Sequence, residues 1–196
     1  MSDTGRAPTV YTFEDLTPVV DPTAWVHPSA VLIGDVIIGP RCYIGAGAVL
    51  RGDFGRIVME EEANLQDNCV VHSLWDFDCV MASRSHIGHG AVIHAAYIGH
   101  DALVGMNAVV MDRARVGEQA IVAAMSFVKI DGEVPPRTLV SGIPARVVRE
   151  LSPGQIAGKG QGTDLYVELA QRCQEGVRPV PALTAPEPDR PRTKWR

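Results

Sequence analysis

Aliphatic residues recur at every sixth position through most of this chain. Four positions after most of them stands a small residue, usually alanine. An α-helix repeats about every 3.6 residues and a β-strand about every two, whereas one short strand and one turn per hexad gives a repeat of six. The pattern therefore predicts an all-β solenoid, a parallel β-helix of hexapeptide repeats. The aliphatic positions are Val26, Leu32, Ile38, Ile44, Leu50, Met59, Leu65, Val71, Ile98, Val104, Val110, Val116, Val122 and Val128, and the small ones are Ala30, Ala48, Ala63, Ala91, Ala102, Ala108, Ala114, Ala120 and Ser126.

Three hexads make one triangular coil of about 18 residues, so residues one coil apart stack at roughly 4.8 Å. Two insertions interrupt this count. The step after Leu50 is nine residues instead of six, and the two steps after Val71 cover sixteen instead of twelve. We expect both insertions to be extruded as loops, the first carried by residues 52–56 and the second lying between residues 75 and 85. Glycines directly after the aliphatic position are expected at corners with positive φ, and they are Gly39, Gly45, Gly88, Gly99, Gly105 and Gly117.

The chain divides into four predicted parts. Beyond the solenoid, one apolar stripe predicts an amphipathic helix over Thr163–Cys173, with Gly158–Gly162 as a linker before it. Abundant proline and mixed charge predict disorder at the end of the chain. The parts are an N-terminal strand or lid (1–20), the β-helix (21–145), a C-terminal helical segment (146–177) and a disordered tail (178–196).

Composition excludes several classes of function. A net charge of −5 and 6% aromatic residues argue against a nucleic-acid-binding surface. No apolar run approaches the roughly 18 residues of a membrane span, and Met1–Thr9 lacks the apolar core of a secretory signal, so we expect a cytoplasmic protein. Cys42 and Cys69 take small inward positions, which predicts buried free thiols in a reducing compartment.

Histidines at matching positions of successive coils predict a metal site. His72 and His94 each follow an aliphatic position, and their separation of 22 is one coil of 18 plus the insertion of four. They should stack on one face and share an ion at metal–nitrogen distances of roughly 2.0–2.1 Å. His89 belongs to a different face of the same chain. A neighbouring solenoid in a three-fold trimer would bring it to the ion, which predicts intersubunit sites.

The same count predicts that several polar side chains lie near these histidines. Arg51 should stack below His72 with Asp53 beside it, and Asp67 should lie one coil below His89, next to Gln66. Such groups are plausible orienters of a metal-bound water. An ion pair that stabilises the subunit interface, including one from Arg51 to Asp67, is the alternative. The remaining histidines are assigned surface, interface or structural roles, and they are His27, His86 and His100.

These residues together resemble the γ-class carbonic anhydrases, over nearly the whole chain. Within that group the chain is most similar to the PaaY-type proteins of phenylacetate degradation and the CaiE-type proteins of carnitine metabolism. The elements that carry the resemblance are Arg51-Gly52-Asp53, Asn64-Leu65-Gln66-Asp67, His72, His89 and His94, together with the stretches 17–20, 26–35, 85–91 and 121–129 and, toward the C-terminus, Tyr166 and Arg172-Cys173.

The resemblance implies a left-handed β-helix that forms a homotrimer and binds zinc, or alternatively iron. His72 and His94 of one subunit and His89 of the next would be the ligands, leaving a position for water. The implied chemistry is attack of hydroxide on CO₂ or on an acyl-CoA thioester. Gln66, Arg51, Asp53 and Tyr166 are the candidate catalytic residues, although packing is the alternative for Tyr166. Structural or interface roles are implied for Asn64 and Asp67.

The chain departs from the γ-class pattern at two positions. Phe54 and Trp75 stand where the prototype carries glutamates that transfer protons. Apolar side chains cannot relay a proton, so the substrate is either CO₂ or a thioester whose acyl group they would contact. A CoA-dependent acyltransferase and a non-catalytic scaffold are the alternatives of other classes. The acyltransferase does not need three histidines in metal register, and the scaffold alternative includes a metal-storage subunit.

Overall fold

The computed structural model describes residues 8–195 as a β-solenoid followed by one helix. The elements of the solenoid are short strands separated by tight turns. The strands are β1 (Thr9–Tyr11), β2 (Val19–Val20), β3 (Trp25–Val26), β4 (Val31–Ile38), β5 (Tyr43–Ile44), β6 (Val49–Met59), β7 (Asn64–Leu65), β8 (Val70–His72), β9 (Cys79–Met81), β10 (His86–Ile87), β11 (Val92–His94), β12 (Tyr97–Ile98), β13 (Leu103–Val104), β14 (Val109–Val110), β15 (Arg115–Val116), β16 (Ile121–Val122), β17 (Phe127–Val128), β18 (Glu133–Val134), β19 (Thr138–Gly142) and β20 (Ala145–Glu150), and the helix is α1 (Pro153–Gly176).

Parallel pairing between successive coils gives the solenoid three faces. The first face stacks β8, β11, β14 and β17, and the second stacks β9, β12, β15 and β18. The long strand β6 joins the two into one twelve-stranded sheet, because its start pairs with β8 and its end with β9. The third face is an eight-stranded sheet in the order β20-β19-β16-β13-β10-β7-β5-β3. The predicted left-handed parallel β-helix is confirmed.

The hexad positions form the core, as the repeat predicts. The aliphatic position is buried in every coil, from Val26 at 8% exposure through Leu50 at 0% to Val128 at 4%. The small position is equally buried, with Ala91 at 0% exposure and Ser126 at 2%. Each hexad therefore contributes one large and one small inward side chain to a continuous core.

The glycines after the aliphatic positions have a different role from the one predicted. Gly45 and Gly88 do not have positive φ; the left-handed residues stand two positions later, at Gly47 and Gly90 and at non-glycine residues such as Asn107. A Cβ on Gly88 would lie 2.9 Å from the backbone nitrogen of Met106. These glycines are therefore required by the close approach of the next coil and not by their own φ.

The two insertions are accommodated differently. The first was expected as a loop over residues 52–56, but it lies inside the continuous strand β6, whose pairing with β4 shifts register between Gly34 and Val36. A bulge absorbs extra residues while keeping the strand extended. The second forms a turn between β8 and β9, where Leu74 and Phe77 make an antiparallel bridge. It projects from the solenoid as predicted.

The C-terminal segment differs from its predicted boundaries. Residues 145–150 form β20, which pairs antiparallel with β19, so strand continues past residue 145. The helix then begins at Pro153, ten residues before the predicted Thr163. Ser152 caps it: its side chain accepts from the Gln155 backbone N–H, and the Gln155 side chain accepts from the Ser152 N–H. This capping box and Pro at the first position start a helix in spite of the glycines that follow.

Contacts with the third face and a corner hold the helix. Ala170 and Cys173 pack on Trp25, with Tyr43 at the edge of this second apolar cluster. Lys159 Nζ lies 2.7 Å from Asp101 Oδ1, and both side chains are buried, at 5% and 9% exposure. The helix therefore runs down the outside of the solenoid from its last coil to its first.

The remaining features concern the ends of the chain and its thiols. Residues 177–195 are irregular, and the Arg172 guanidinium lies 4.3 Å from the Trp195 ring centroid. Disorder of the tail remains a prediction; residues 1–7 of the N-terminal segment and Arg196 lie outside the described part. All four cysteines are free and buried, as predicted for Cys42 and Cys69. Between residues 8 and 195 there is no helix both long enough and apolar enough to cross a bilayer.

Candidate metal centre

His72 and His94 stack on the first face of the solenoid as the sequence predicts. They are paired in register between β8 and β11, and Arg51 of β6 is paired with His72 on the other side. His72 Nδ1 lies 3.0 Å from His94 Nε2, with ring centroids 5.0 Å apart. One ring nitrogen of each histidine therefore points at the other.

The other ring nitrogen of each histidine contacts the carboxylate of an aspartate. His72 Nε2 lies 2.9 Å from Asp53 Oδ1, and Asp53 Oδ2 accepts a 2.6 Å hydrogen bond from Arg51 Nη1. His94 Nδ1 contacts Asp112 Oδ1. Burial raises the pKa of the Asp53 carboxyl, but hydrogen bonds from Arg51 and His72 outweigh it and hold the pKa below its usual value. Asp53 is thus an ionised acceptor for the His72 N–H. Within one chain Arg51 pairs with Asp53, and an ion pair from Arg51 to Asp67 across an interface stays a prediction.

The pair fits a metal ion on its donor chemistry. A carboxylate on one ring nitrogen places the proton there and leaves the facing nitrogens, His72 Nδ1 and His94 Nε2, as lone pairs. Two lone pairs 3.0 Å apart repel unless a cation lies between them. Tetrahedral zinc ligands at about 2.0–2.1 Å are separated by roughly 3.3 Å, close to the observed spacing.

The third predicted ligand lies on another part of the solenoid. His89 follows β10 at the corner beyond the third face, and its Nδ1 lies 3.1 Å from Asp67 Oδ2. Its side chain is 43% exposed, with Nε2 free of any bond to the chain in the part described. No three His, Cys, Asp or Glu side chains within residues 8–195 of one chain could together hold a metal ion. All three predicted ligands nevertheless share the carboxylate–histidine arrangement.

Gln66 and Asn64 lie beside this corner in contact with each other and with a third side chain. Gln66 is 2% exposed and Asn64 is fully buried. Gln66 Nε2 donates to Asn64 Oδ1 at 3.2 Å and lies 2.6 Å from His86 Nε2. His86 is partly buried within its own chain, because the Tyr166 ring of α1 packs edge-on against it, and the interface role stays a prediction.

Tyr166 lies between two rings of the third face. Its centroid is 5.1 Å from those of both Tyr43 and His86. Burial, with the Asp67 carboxylate nearby, raises the pKa of the Tyr166 phenol, which therefore stays protonated at neutral pH. Both the packing and the catalytic assignment of this residue remain open on these contacts.

Apolar surface borders His72 on the first face and Gln66 on the third face. Phe54 packs against His72 at 5.3 Å between centroids and against Trp75 at 6.2 Å. These aromatic side chains are 53% and 76% exposed. On the third face, Gln66 and His86 lie at one end of an apolar groove of about 370 Å³. Farther along, the groove is lined by Leu103, Met106, Ile121, Ala123 and Leu139.

Sequence reasoning missed two residues of this arrangement. Asp112 lies 18 residues after His94, one full coil, and His86 lies 22 after Asn64, one coil plus the insertion of four. The register that located His72 and His94 would also have located both. Counting from one histidine to another does not reveal either residue, because the partner of His86 in the register is Asn64 and that of Asp112 is His94.

Comparison with known proteins places this geometry in a family. A family profile described as bacterial transferase hexapeptide (six repeats) matches residues 17–52. The carnitine operon protein CaiE of Proteus sp. (strain LE138) is 51% identical over 185 residues, 94% of each chain. CaiE of Escherichia coli K12 is 50% identical over 182 residues, 93% of each chain.

Two solved structures have the same architecture over most of this chain. A hexapeptide transferase family protein from Anaplasma phagocytophilum is 36% identical, covers 83% of this chain and 96% of its own, and has a TM-score of 0.80. The BC4754 gene product of Bacillus cereus, provisionally described as an acetyltransferase, is 29% identical, covers 86% and 98%, and has a TM-score of 0.84.

The fold and the site together define a hexapeptide-repeat β-helix protein of the γ-carbonic anhydrase-like type. Relatives with half of their residues identical extend along nearly the entire chain. The chain belongs to the family of the carnitine operon protein CaiE.

Proposed function

We propose that this protein is a metal-dependent hydrolase of acyl thioesters, with its site between subunits of a homotrimer. His72 and His94 of one subunit and His89 of the partner subunit would hold the ion. The observation that carries the proposal is the pair of facing nitrogens, His72 Nδ1 and His94 Nε2, each on a ring whose other nitrogen is bonded to an aspartate.

The chain's own side chains supply orientation and charge. Asp53 and Asp112 hold the ring protons away from the ion, and Arg51 keeps Asp53 ionised and in place. When bound, zinc lowers the pKa of a coordinated water to about 7 and so supplies a nucleophile. Gln66 and Tyr166 would contact the reacting groups from the partner half of the site.

A thioester is favoured over CO₂ by the surroundings of the histidines. Phe54 and Trp75 offer exposed aromatic surface next to His72, and the apolar groove begins at Gln66. Exposed apolar surface of this kind typically marks a binding site.

In the reaction, a C–O bond forms between water and the acyl carbon and the C–S bond breaks. The products are a carboxylate, a thiol and one proton released to solvent.

The test combines metal analysis with turnover on one preparation. Untagged protein is analysed for bound metals, then assayed with CO₂ and with aryl-CoA and acyl-CoA thioesters, before chelation, after chelation and after metal is restored. We expect about one metal ion per chain, as one shared site per subunit in a three-fold ring requires, and thioester hydrolysis that disappears and returns with the metal. CO₂ hydration alone would contradict the thioester assignment.

Paired histidine variants test the intersubunit ligand. His89→Ala should lose the metal while keeping the fold, because the His89 side chain is 43% exposed and its ring contacts Asp67, whose side chain is itself 42% exposed. His100→Ala is the matched control, since the side chain of His100 lies on an exposed corner, where it bonds to Ser83. Stoichiometric metal in His89→Ala would contradict the proposed site.

An acyltransferase is the second candidate, favoured by the family names of the solved neighbours. It predicts chelator-insensitive transfer from acyl-CoA to an amine or hydroxyl acceptor. Free thiol released only in the presence of such an acceptor, with no metal bound, would support it and contradict the hydrolase.

A further inference from the structure

His86 lies under the C-terminal helix and contacts the amide of Gln66. Its Nε2 atom is 2.6 Å from Gln66 Nε2, and its ring stands edge-on to Tyr166. Its Nδ1 atom is buried without a hydrogen-bond partner in the part of the chain that is described. Leaving a buried polar atom unsatisfied costs about 1–3 kcal/mol, which is unusual for a residue that only packs.

The hydrogen-bonding capacity of Gln66 determines which ring nitrogen carries the proton. The amide nitrogen has two hydrogens, and it contacts both Asn64 Oδ1 at 3.2 Å and His86 Nε2 at 2.6 Å. Asn64 Oδ1 can only accept, and His86 Nε2 accepts only when the ring proton is on Nδ1. With the Gln66 amide alone turned over, the oxygens of Gln66 and Asn64 would face each other; with both amides turned over, His86 would instead donate from Nε2. In the orientation that the structure has, the contacts give the Nδ1–H tautomer and leave Gln66 Oε1 unengaged, with Asn64 Nδ2 and His86 Nδ1 buried and unpartnered in the described part.

The surroundings keep the imidazole neutral, as this tautomer requires. Burial lowers the pKa of His86 to about 4, and the positive charge of Lys159 acts in the same direction while Asp101 opposes it. At neutral pH the ring therefore has one proton and one acceptor nitrogen.

We propose that His86 is a positioning residue, which accepts an N–H from Gln66 and so holds Gln66 Oε1 ready to accept a hydrogen bond from the attacking water. The inference rests on the proposed function. An oxygen that accepts the O–H of water leaves a water lone pair free for the acyl carbon, whereas an N–H at that place would compete for it. Gln66 directly precedes Asp67, the carboxylate partner of His89, so the amide and the predicted ligand belong to the same corner of the solenoid.

The first test reads the tautomer and does not depend on activity. Protein labelled with ¹⁵N-histidine is examined at pH 7 by long-range ¹H–¹⁵N correlation, and the His86 signals are assigned from their loss in His86→Phe. We expect the pattern of a neutral ring protonated on Nδ1. A ring protonated on Nε2, or on both nitrogens, would overturn the proposal even if the hydrolase is confirmed.

The second test separates positioning from packing. His86→Phe keeps a ring against Tyr166 but cannot accept from Gln66, whereas His86→Gln can accept through its side-chain oxygen. We expect His86→Phe to keep its metal and lower kcat at least tenfold with KM within twofold, and His86→Gln to recover most of kcat. His100→Phe should match the wild type. Unchanged kcat in His86→Phe, or equal losses in both His86 variants, would overturn the proposal.

The two tests also separate this inference from the proposed function. If no substrate is turned over by the wild type, the hydrolase proposal fails, and the tautomer of His86 still decides whether Gln66 is positioned as described.

Discussion

At the scale of single residues, the arrangement around His94 shows how a carboxylate prepares a metal ligand. Asp112 lies one coil above His94 and contacts its Nδ1 atom. Its side chain is 20% exposed, so the contact is partly shielded from solvent and from salt. The proton held there leaves Nε2 as a lone pair aimed at His72. The same logic applies to Asp53 on the other ring, where Arg51 adds a positive charge.

Asp112→Ala should weaken metal binding without removing a ligand. Loss of the carboxylate frees the His94 ring to rotate and to change tautomer, so we expect affinity for the ion to fall roughly 10–100-fold. Competition with a chelator of known affinity measures the change. Asp131→Ala is the matched control, because Asp131 pairs with Arg113 on the exposed turn of the next coil. Equal affinity in the two variants would contradict the role of Asp112.

The sequence could predict the columns of the site but not the hydrogen bonds within them. Hexad counting placed Arg51, His72 and His94 in one register, and the pairing of the strands confirms it. It could not show that Arg51 turns toward Asp53, because side-chain rotamers are not determined by register. The partial burial of His86 is not predictable from register either, because it comes from a helix whose path over the third face is a tertiary property.

At the scale of elements, the C-terminal helix shows tertiary contacts overriding local preference. Three glycines, Gly158, Gly160 and Gly162, each cost about 1 kcal/mol relative to alanine in a helix interior, and so they predict a linker. The structure places all three inside α1. The buried pair of Lys159 with Asp101 and the bond from Arg84 to the Gly160 carbonyl hold this glycine-rich turn against the solenoid. A prediction from local propensity could not include these contacts.

Gly158→Ala and Gly162→Ala should each stabilise the protein by up to about 1 kcal/mol, because both residues are helical and an added Cβ would meet nothing within 4 Å. Chemical denaturation at a constant protein concentration measures the change. Amide hydrogen exchange over residues 158–162 should show protection in the wild type. Rapid exchange there would mean that the segment is a linker, as the sequence alone suggested.

Gly88→Ala is the contrasting variant at the same scale. Its Cβ would lie 2.9 Å from the Met106 backbone nitrogen, in the stack of the solenoid, where neither coil can move independently. We expect it to destabilise the protein. Alanine substitution therefore has opposite signs in the two elements, since one glycine is needed for space and the others are not.

At the scale of the whole molecule, the proposed site divides into two complementary halves. One half has His72 and His94 with their aspartates, and the other has His89, Gln66, His86 and Tyr166 on a different part of the solenoid. Because a rotation that closes a ring brings unlike surfaces together, each interface of a trimer would join one half from each of two neighbours. A variant defective in one half can then be complemented by a variant defective in the other.

His72→Ala and His89→Ala subunits should restore metal binding when they are mixed. With random assembly, about three quarters of trimers are mixed and each has one intact interface of three, so about a quarter of all sites return. Both variants alone should bind none, and elemental analysis of the unfolded and refolded mixture measures the recovery. The control mixes His72→Ala with His94→Ala, which damage the same half; no interface there contains both ring nitrogens, and no metal should return. Equal recovery in the two mixtures would contradict a site shared between subunits, whereas recovery in the first alone can arise only when one chain supplies His89 to the other's histidine pair.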